Sequence, residues 1–186
     1  MSDVQKHKSR RNLLLVIAVF VLPIVLAKLA LTQNWLEYGV TNKGTLVENE
    51  LTLQELGIVD DELNNMWLIL YALPDDCNEH CEQTLLSVNN TLVALGKDKP
   101  KVRNVALYKH SLSSDQLSHL DQAIWSIIPS PSKQHLLIQQ PTVLLIDPLG
   151  NIILEHKPPE FVEEQAMFGK GILADMKKLL KYSKIG

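Results

Sequence analysis

The strongest constraint on this chain is a run of nineteen residues, Leu13 to Leu31, in which Lys28 is the only charge. At about 1.5 Å of rise per residue the run spans roughly 28 Å as a helix, close to the ~30 Å hydrocarbon core of a bilayer. Residues 1–12 carry Lys6, Lys8, Arg10 and Arg11 against Asp3 alone, and a basic cluster beside a span stays on the cytoplasmic side. The reading is a basic cytoplasmic tail (1–12) and one transmembrane helix (13–31), the N-terminus facing inward. Lys28 sits near the far end, where it can snorkel to the interface. Trp35 and Tyr38 follow as interfacial aromatics, and Pro23 is tolerated as a kink. A cleaved signal peptide ending near Val25-Leu26-Ala27 is the competing reading, but the apolar run continues to Leu31, well past that point. In both readings the remainder is exported, with the bacterial inner membrane and periplasm as the expected location. In that oxidising compartment a cysteine pair is a disulfide, a redox couple or a soft-metal site.

Whole-chain averages conceal this polarity. Five of the 18 Lys and Arg and one of the 21 Asp and Glu fall in residues 1–31, leaving 13 basic against 20 acidic residues beyond. An acidic exported part lacks the basic footprint that nucleic acid requires, so no nucleic-acid partner is expected. Two cysteines are too few for a disulfide-dense scaffold. At 186 residues the chain holds one ordinary domain plus an appendage. Nucleophile-elbow, zinc-protease, phosphate-loop and dinucleotide fingerprints are absent from it.

Residues 32–63 read as a linker containing a short strand at Gly44–Val47, and 64–186 as the folded domain. Met66 to Ala72 is a continuous apolar run of strand length, the form of a central strand buried on both faces. It stops at Pro74-Asp75-Asp76, where either aspartate can cap a helix running from about Cys77 to Leu95, with Leu85, Val88, Leu92 and Leu95 on its buried face. Val102–Tyr108 alternates as a strand. Ser113 or Ser114 caps a second helix expected over Asp115 to about Ile127. Pro141–Ile146 is a further strand, Asp147-Pro-Leu-Gly150 a tight turn, and Asn151–Glu155 the hairpin partner. Glu160, Glu163 and Glu164 read as a solvated loop, and an amphipathic helix over about Ile172–Tyr182 closes the chain. This order of strands and helices is that of an α/β thioredoxin-like sandwich, here preceded by the N-terminal transmembrane helix, although order alone also fits other small α/β domains.

Both cysteines fall in Cys77-Asn78-Glu79-His80-Cys81, directly after the central strand and at a helix start. Positions i and i+4 share a helix face, so the sulfurs can bond to each other, if the first turn is loose, or bind one ion. The helix N-terminus favours thiolate, whereas Asp75, Asp76, Glu79 and Glu82 oppose it. A static disulfide that pins the helix start is the plain alternative, although closing so short a loop stabilises little. His80 is either a third ligand or a solvated side chain.

The segment Trp67 to Cys81, the strand Val102–Leu107, the run Val143-Leu-Leu-Ile-Asp-Pro-Leu-Gly-Asn151 and the closing Asp175-Met-Lys-Lys-Leu-Leu180 resemble the Sco/SenC family over roughly residues 64–182. Those are membrane-anchored thioredoxin-fold proteins of cytochrome c oxidase assembly that bind copper through a CxxxC pair and a distant histidine. The chain also resembles, more closely still, small single-span bacterial proteins associated with oxidase assembly, to which Asn42-Lys-Gly-Thr-Leu46 corresponds. The resemblance implies Cys77 and Cys81 as copper ligands. The family's histidine falls at about Gln139 or Gln140 in this sequence, where none is present. His135 is the nearest, whereas His110, His119 and His156 have no motif support. Two thiolates and an imidazole suit Cu(I), and two thiolates alone would hold it more weakly.

In thioredoxin-like redox proteins a cis-proline before the corresponding strand packs against the active cysteines. Pro141 matches it by order, the alternative being an ordinary trans proline opening a strand. In exchange chemistry Cys77, the more exposed sulfur, attacks and Cys81 resolves. The expected function is therefore a membrane-anchored, Sco-like factor of cytochrome c oxidase biogenesis, a metallochaperone or thiol-disulfide factor more than a turnover enzyme. It would deliver copper or reduce cysteines, with an oxidase subunit or another assembly factor as partner. A general periplasmic thiol-disulfide oxidoreductase and a non-catalytic assembly scaffold are the alternatives.

Overall fold

The computed structural model describes residues 3–32, 42–47, 51–109, 112, 117, 120–121, 123–131, 138 and 141–183. The chain forms two compact units, residues 1–41 and 42–186. In the first, α1 (Asp3–Thr32) is a helix of 30 residues with Pro23 inside it. Its described side chains, Asn12 and those of residues 15–29, are all exposed. Among the described residues no helix is long and apolar enough to cross a membrane, and both ends of the apolar run lie outside that set of side chains. Trp35 and Tyr38 lie outside the described residues.

The second unit is built on a sheet of six strands: β1 (Thr45–Leu46), β2 (Trp67–Ala72), β3 (Val102–Tyr108), β4 (Trp125–Pro129), β5 (Thr142–Ile146) and β6 (Ile152–His156). Their order across the sheet is β1-β6-β5-β2-β3-β4. β2, β3 and β4 run parallel, while β5 is antiparallel to β2 and to β6, which β1 also pairs antiparallel. β2 is thus interior, and all six of its residues are buried, as its unbroken apolar run predicts. Its alternate residues feed two cores. Trp67, Ile69 and Tyr71 pack with Leu85, Val88 and Leu92 of α2 (Glu79–Ala94) and Ile172 and Met176 of α3 (Gln165–Tyr182). Leu68, Leu70 and Ala72 pack on the other face with Leu56, Ile58, Leu63 and Ile138. The stretch read as a linker therefore contributes three core side chains.

Three expectations change. α2 starts at Glu79 and not Cys77, capped by Asn78 instead of Asp75 or Asp76: Asn78 Oδ1 accepts from the backbone N–H of His80 at 3.1 Å and of Cys81 at 3.3 Å. Asparagine caps as well as aspartate does, so the cap could not be located from residue preference alone. The helix expected up to Ile127 gives way to β4, where Trp125-Ser-Ile-Ile-Pro pairs in parallel with β3 from Asn104 to Tyr108. Aromatic and β-branched residues beside an unpaired strand edge gain a ladder that a helix there would forgo. Of the rest of that expected helix, Leu117 is helical, and Ser113, Ser114 and several neighbours lie outside the described residues. α3 begins seven residues earlier than expected, because Gly169 and Gly171 sit within it instead of breaking it. Glu163 and Glu164 belong to a 3-10 turn just ahead of α3.

The β5–β6 hairpin turns as its composition predicts. Asp147 Oδ1 accepts from the N–H groups of Leu149 and Asn151, both at 2.9 Å, and Gly150 adopts φ 86°, which favours glycine. At the other end of β6 the chain enters the domain through a clamp. Asp175 of α3, 1% exposed, accepts from Lys43 N–H and Gly44 N–H at 2.8 Å each, and Lys178 Nζ donates to Asn42 Oδ1 at 2.8 Å. A Cβ on Gly44 would lie 2.6 Å from His156 Nε2 and 2.8 Å from the Glu155 carbonyl, so only glycine fits.

Candidate functional site

The site forms where β2 leaves the sheet. Leu73 N–H still donates to Leu107 O at 2.9 Å, and Pro74-Asp75-Asp76 then turns the chain into the Asn78 cap. Cys77 lies one residue ahead of that cap and Cys81 in the first turn of α2, and the two are joined as a disulfide with Cα atoms 5.1 Å apart. Because Cys77 precedes the helix proper, the first turn is loose enough to close the bond. Cys81 is 2% exposed and packs in the core, while Cys77 is half-buried. Cys77 is thus the sulfur within reach of a partner.

A polar chain underlies Cys81. Thr84 Oγ1 donates to His80 O at 2.9 Å and accepts from Gln165 Nε2 at 3.2 Å, and Ser87 Oγ donates to Gln165 Oε1 at 3.3 Å. Tyr71 of β2 also hydrogen-bonds Thr84, but burial dominates and pushes its phenol well above the ordinary range. Tyr71 therefore remains a neutral phenol and a fixed part of the floor. These residues join β2, α2 and α3 behind the disulfide, and none was singled out from the sequence. Thr84 shares the buried face of α2 with Cys81, Leu85 and Val88, a helical periodicity that could have marked it. Gln165 comes from a distant element and carried no local signal.

Beside the disulfide opens a groove of about 580 Å³, whose lining includes Cys81, His80, Pro141, Pro158, Pro159 and Tyr71. Pro141, exposed just ahead of β5, thus shares the groove with Cys81 of the disulfide. His80 is half-buried, and its Nδ1 is buried without a hydrogen-bond partner. Asp75 pairs with Lys109 at 3.6 Å. His135 lies outside the described residues, as do Gln139, Gln140, His110 and His119. His156 lies not in this groove but in the clamp, its Nε2 3.2 Å from Asp175 Oδ2 without hydrogen-bond geometry. Burial lowers its pKa, an effect only partly offset by the Asp175 carboxylate, so the ring is neutral near pH 7.

Among the described residues no three His, Cys, Asp or Glu side chains are grouped to hold a metal ion. With both sulfurs committed to each other, the pair as it stands does not fit copper. Ligation would require two-electron reduction of the disulfide first.

A mixed sheet with α2 and α3 packed on one face, and a cysteine pair four residues apart where the central strand passes into a helix, defines a thioredoxin-like protein. The chain belongs to the family described as transmembrane-like, thioredoxin-like, C-terminal domain, which it matches over residues 67–183. Among solved structures it is similar to apo Sco1 from Thermus thermophilus, with a TM-score of 0.52 at 13% identity, covering 76% of this chain and 99% of that one. Two further similarities are looser. Copper-bound ScoI of Arabidopsis thaliana has a TM-score of 0.48 at 10% identity, covering 65% and 90% of the two chains. A thiol:disulfide interchange protein from Bacteroides sp. has a TM-score of 0.48 at 11% identity, covering 76% and 91%. None of the curated proteins matches this chain. The Sco-like thioredoxin fold expected from the motifs is thus the fold observed.

Proposed function

We propose that this chain is a membrane-anchored, exported thiol-disulfide factor of the Sco-like type, reducing cysteines in a partner during cytochrome c oxidase biogenesis. The observation that carries the reading is the Cys77–Cys81 disulfide, with one sulfur accessible, the other buried, and a proline-walled groove beside it. In the reduced protein the Cys77 thiolate attacks a partner disulfide. A Cys77–partner bond forms, and the displaced partner sulfur leaves with the electron pair and takes up a proton. Cys81, losing its proton, then attacks Cys77, restores the intramolecular disulfide and releases the second partner thiol. Two electrons pass to the partner, and an exported dithiol protein must return them. Asp75, Asp76, Glu79 and Glu82 counter the stabilisation of thiolate by the helix N-terminus. The dithiol is therefore little favoured, which suits a donor of electrons.

The anchor reading rests on the apolar run 13–31, on the exposed apolar side chains of α1 such as Phe20 and Ile24, and on the basic residues ahead of them. It places the N-terminus in the cytoplasm and the domain in the periplasm. The partner is an oxidase subunit or another assembly factor. Trapping tests the exchange reading: reduced full-length Cys81→Ser should accumulate a mixed disulfide with a model disulfide protein through Cys77, and Cys77→Ser should not. No trapped species in either variant would refute exchange.

His80 favours one second reading. Its orphaned Nδ1, next in sequence to Cys81, suits a soft ion carried as cargo: the reduced protein would take Cu(I) on Cys77 and Cys81, with His80 brought in by rearrangement of the turn on reduction. Titration of Cu(I) into reduced protein tests it, since binding unchanged in the double-serine variant would remove this reading.

A further inference from the structure

The groove beside the disulfide has a chemical bias that the exchange reading alone does not require. Asp76 and Glu160 both line it and are exposed, with Lys157 as the ammonium group in the lining. Glu79 and Glu82 stand on the first turn of α2 between and beside the cysteines, and Asp75 precedes them with Lys109 3.6 Å away. Among the described residues five carboxylates therefore stand against two ammonium groups, Asp76 and Glu160 on the groove itself and the others on the cysteine turn beside it.

The walls add a second, independent bias. Pro74, Pro141, Pro158 and Pro159 all line the groove, and proline contributes a carbonyl but no N–H. Such walls are rich in acceptors and poor in donors. Lysine and arginine side chains are donors only, so they complement both the charge and the hydrogen-bonding character of this surface. The same prolines hold the walls stiff, which suits an extended segment laid along the groove.

We propose that the groove receives a disulfide-bearing partner segment whose residues flanking the reacting cysteine are basic. This rests on the exchange reading and specifies its substrate class. A segment flanked by acidic residues is repelled as it approaches the Cys77 thiolate, and the selection acts mainly on the rate of association.

The test uses full-length reduced protein in nonionic detergent and three short peptides, each with one cysteine in mixed disulfide with thionitrobenzoate, flanked by lysine, serine or glutamate. Release of the coloured thiol reports attack by Cys77. At low salt the lysine-flanked peptide should react roughly tenfold or more faster than the glutamate-flanked one, within the range of electrostatic steering, with the serine peptide between them. The ratio should shrink towards one at about 1 M salt, where screening is nearly complete. It should also shrink at low salt in the Asp76→Asn/Glu160→Gln variant, whose two exposed positions leave the core untouched. Equal rates for the three peptides, or a ratio indifferent to salt and to the variant, would overturn the charge selection while leaving exchange standing. No reaction with any peptide would overturn the exchange reading and this proposal together.

Discussion

At the Cys77–Cys81 corner and at the Asp175 clamp, polar groups are held inside the same domain in opposite ways. The clamp carboxylate is buried, and its oxygens are occupied by the Lys43 and Gly44 N–H groups with His156 alongside. The corner leaves a half-buried sulfur, an orphaned His80 nitrogen and exposed carboxylates around a groove. A buried carboxylate whose oxygens are taken by backbone N–H groups holds a chain in place, whereas a half-buried sulfur among exposed carboxylates is available to a partner. The difference separates structure from chemistry in a domain where residue type alone, a histidine and an aspartate at one place and a histidine and aspartates at the other, does not.

Replacing both Cys77 and Cys81 by serine gives the largest expected effect: disulfide exchange with a model substrate falls to background, while urea denaturation shows a loss of only about 2 kcal/mol for so short a loop. Retained exchange would erase the distinction between corner and clamp. Asp175→Ala should do the reverse, costing about 3 kcal/mol in the same denaturation because the buried Gly44 N–H and the part-buried Lys43 N–H lose their acceptor, with exchange by the folded fraction unchanged. Gly44→Ala should cost roughly 1–3 kcal/mol by forcing a methyl into His156 and the Glu155 carbonyl. Asn78→Ala, at the corner, should cost about 1 kcal/mol as a lost cap.

The smallest effect is a pH dependence. Burial lowers the His156 pKa, so the unfolded chain binds a proton that the folded one resists. Its contribution to stability is whole above the ordinary pKa of about 6.5 and declines as pH falls below it. Denaturation midpoints should therefore drop between pH 7.5 and 5, and His156→Gln should flatten that slope. An unchanged slope would remove His156 from the clamp's electrostatics.

Much of this architecture is readable locally. The unbroken apolar run of β2, the alternation of β3, the Asp147–Gly150 turn and the cysteines at a helix start each carry their own signal within a few residues. What escaped depends on partners far along the chain. β4 is a strand because β3 offers it an edge, α3 continues through two glycines because it packs across the sheet, and Gln165 reaches Thr84 from 81 residues away. The clamp is the extreme case: Gly44 and Asp175 meet across 131 residues. Nothing in the sequence around His156 distinguishes a buried structural ring from a ligand.

The way the chain enters the domain also has a mechanical meaning. Asn42, Lys43 and Gly44 are bound by Lys178 and Asp175 of α3 before the short β1 strand joins the sheet edge. A pull delivered through the chain preceding Asn42 is therefore borne first by the C-terminal helix. In the strand order β6, β5 and β2 all intervene between β1 and β3, so the load enters at one border of the sheet while the cysteines sit beyond the end of an interior strand. The entry point and the reactive corner thus lie on different strands, and the C-terminal helix is the element that connects them.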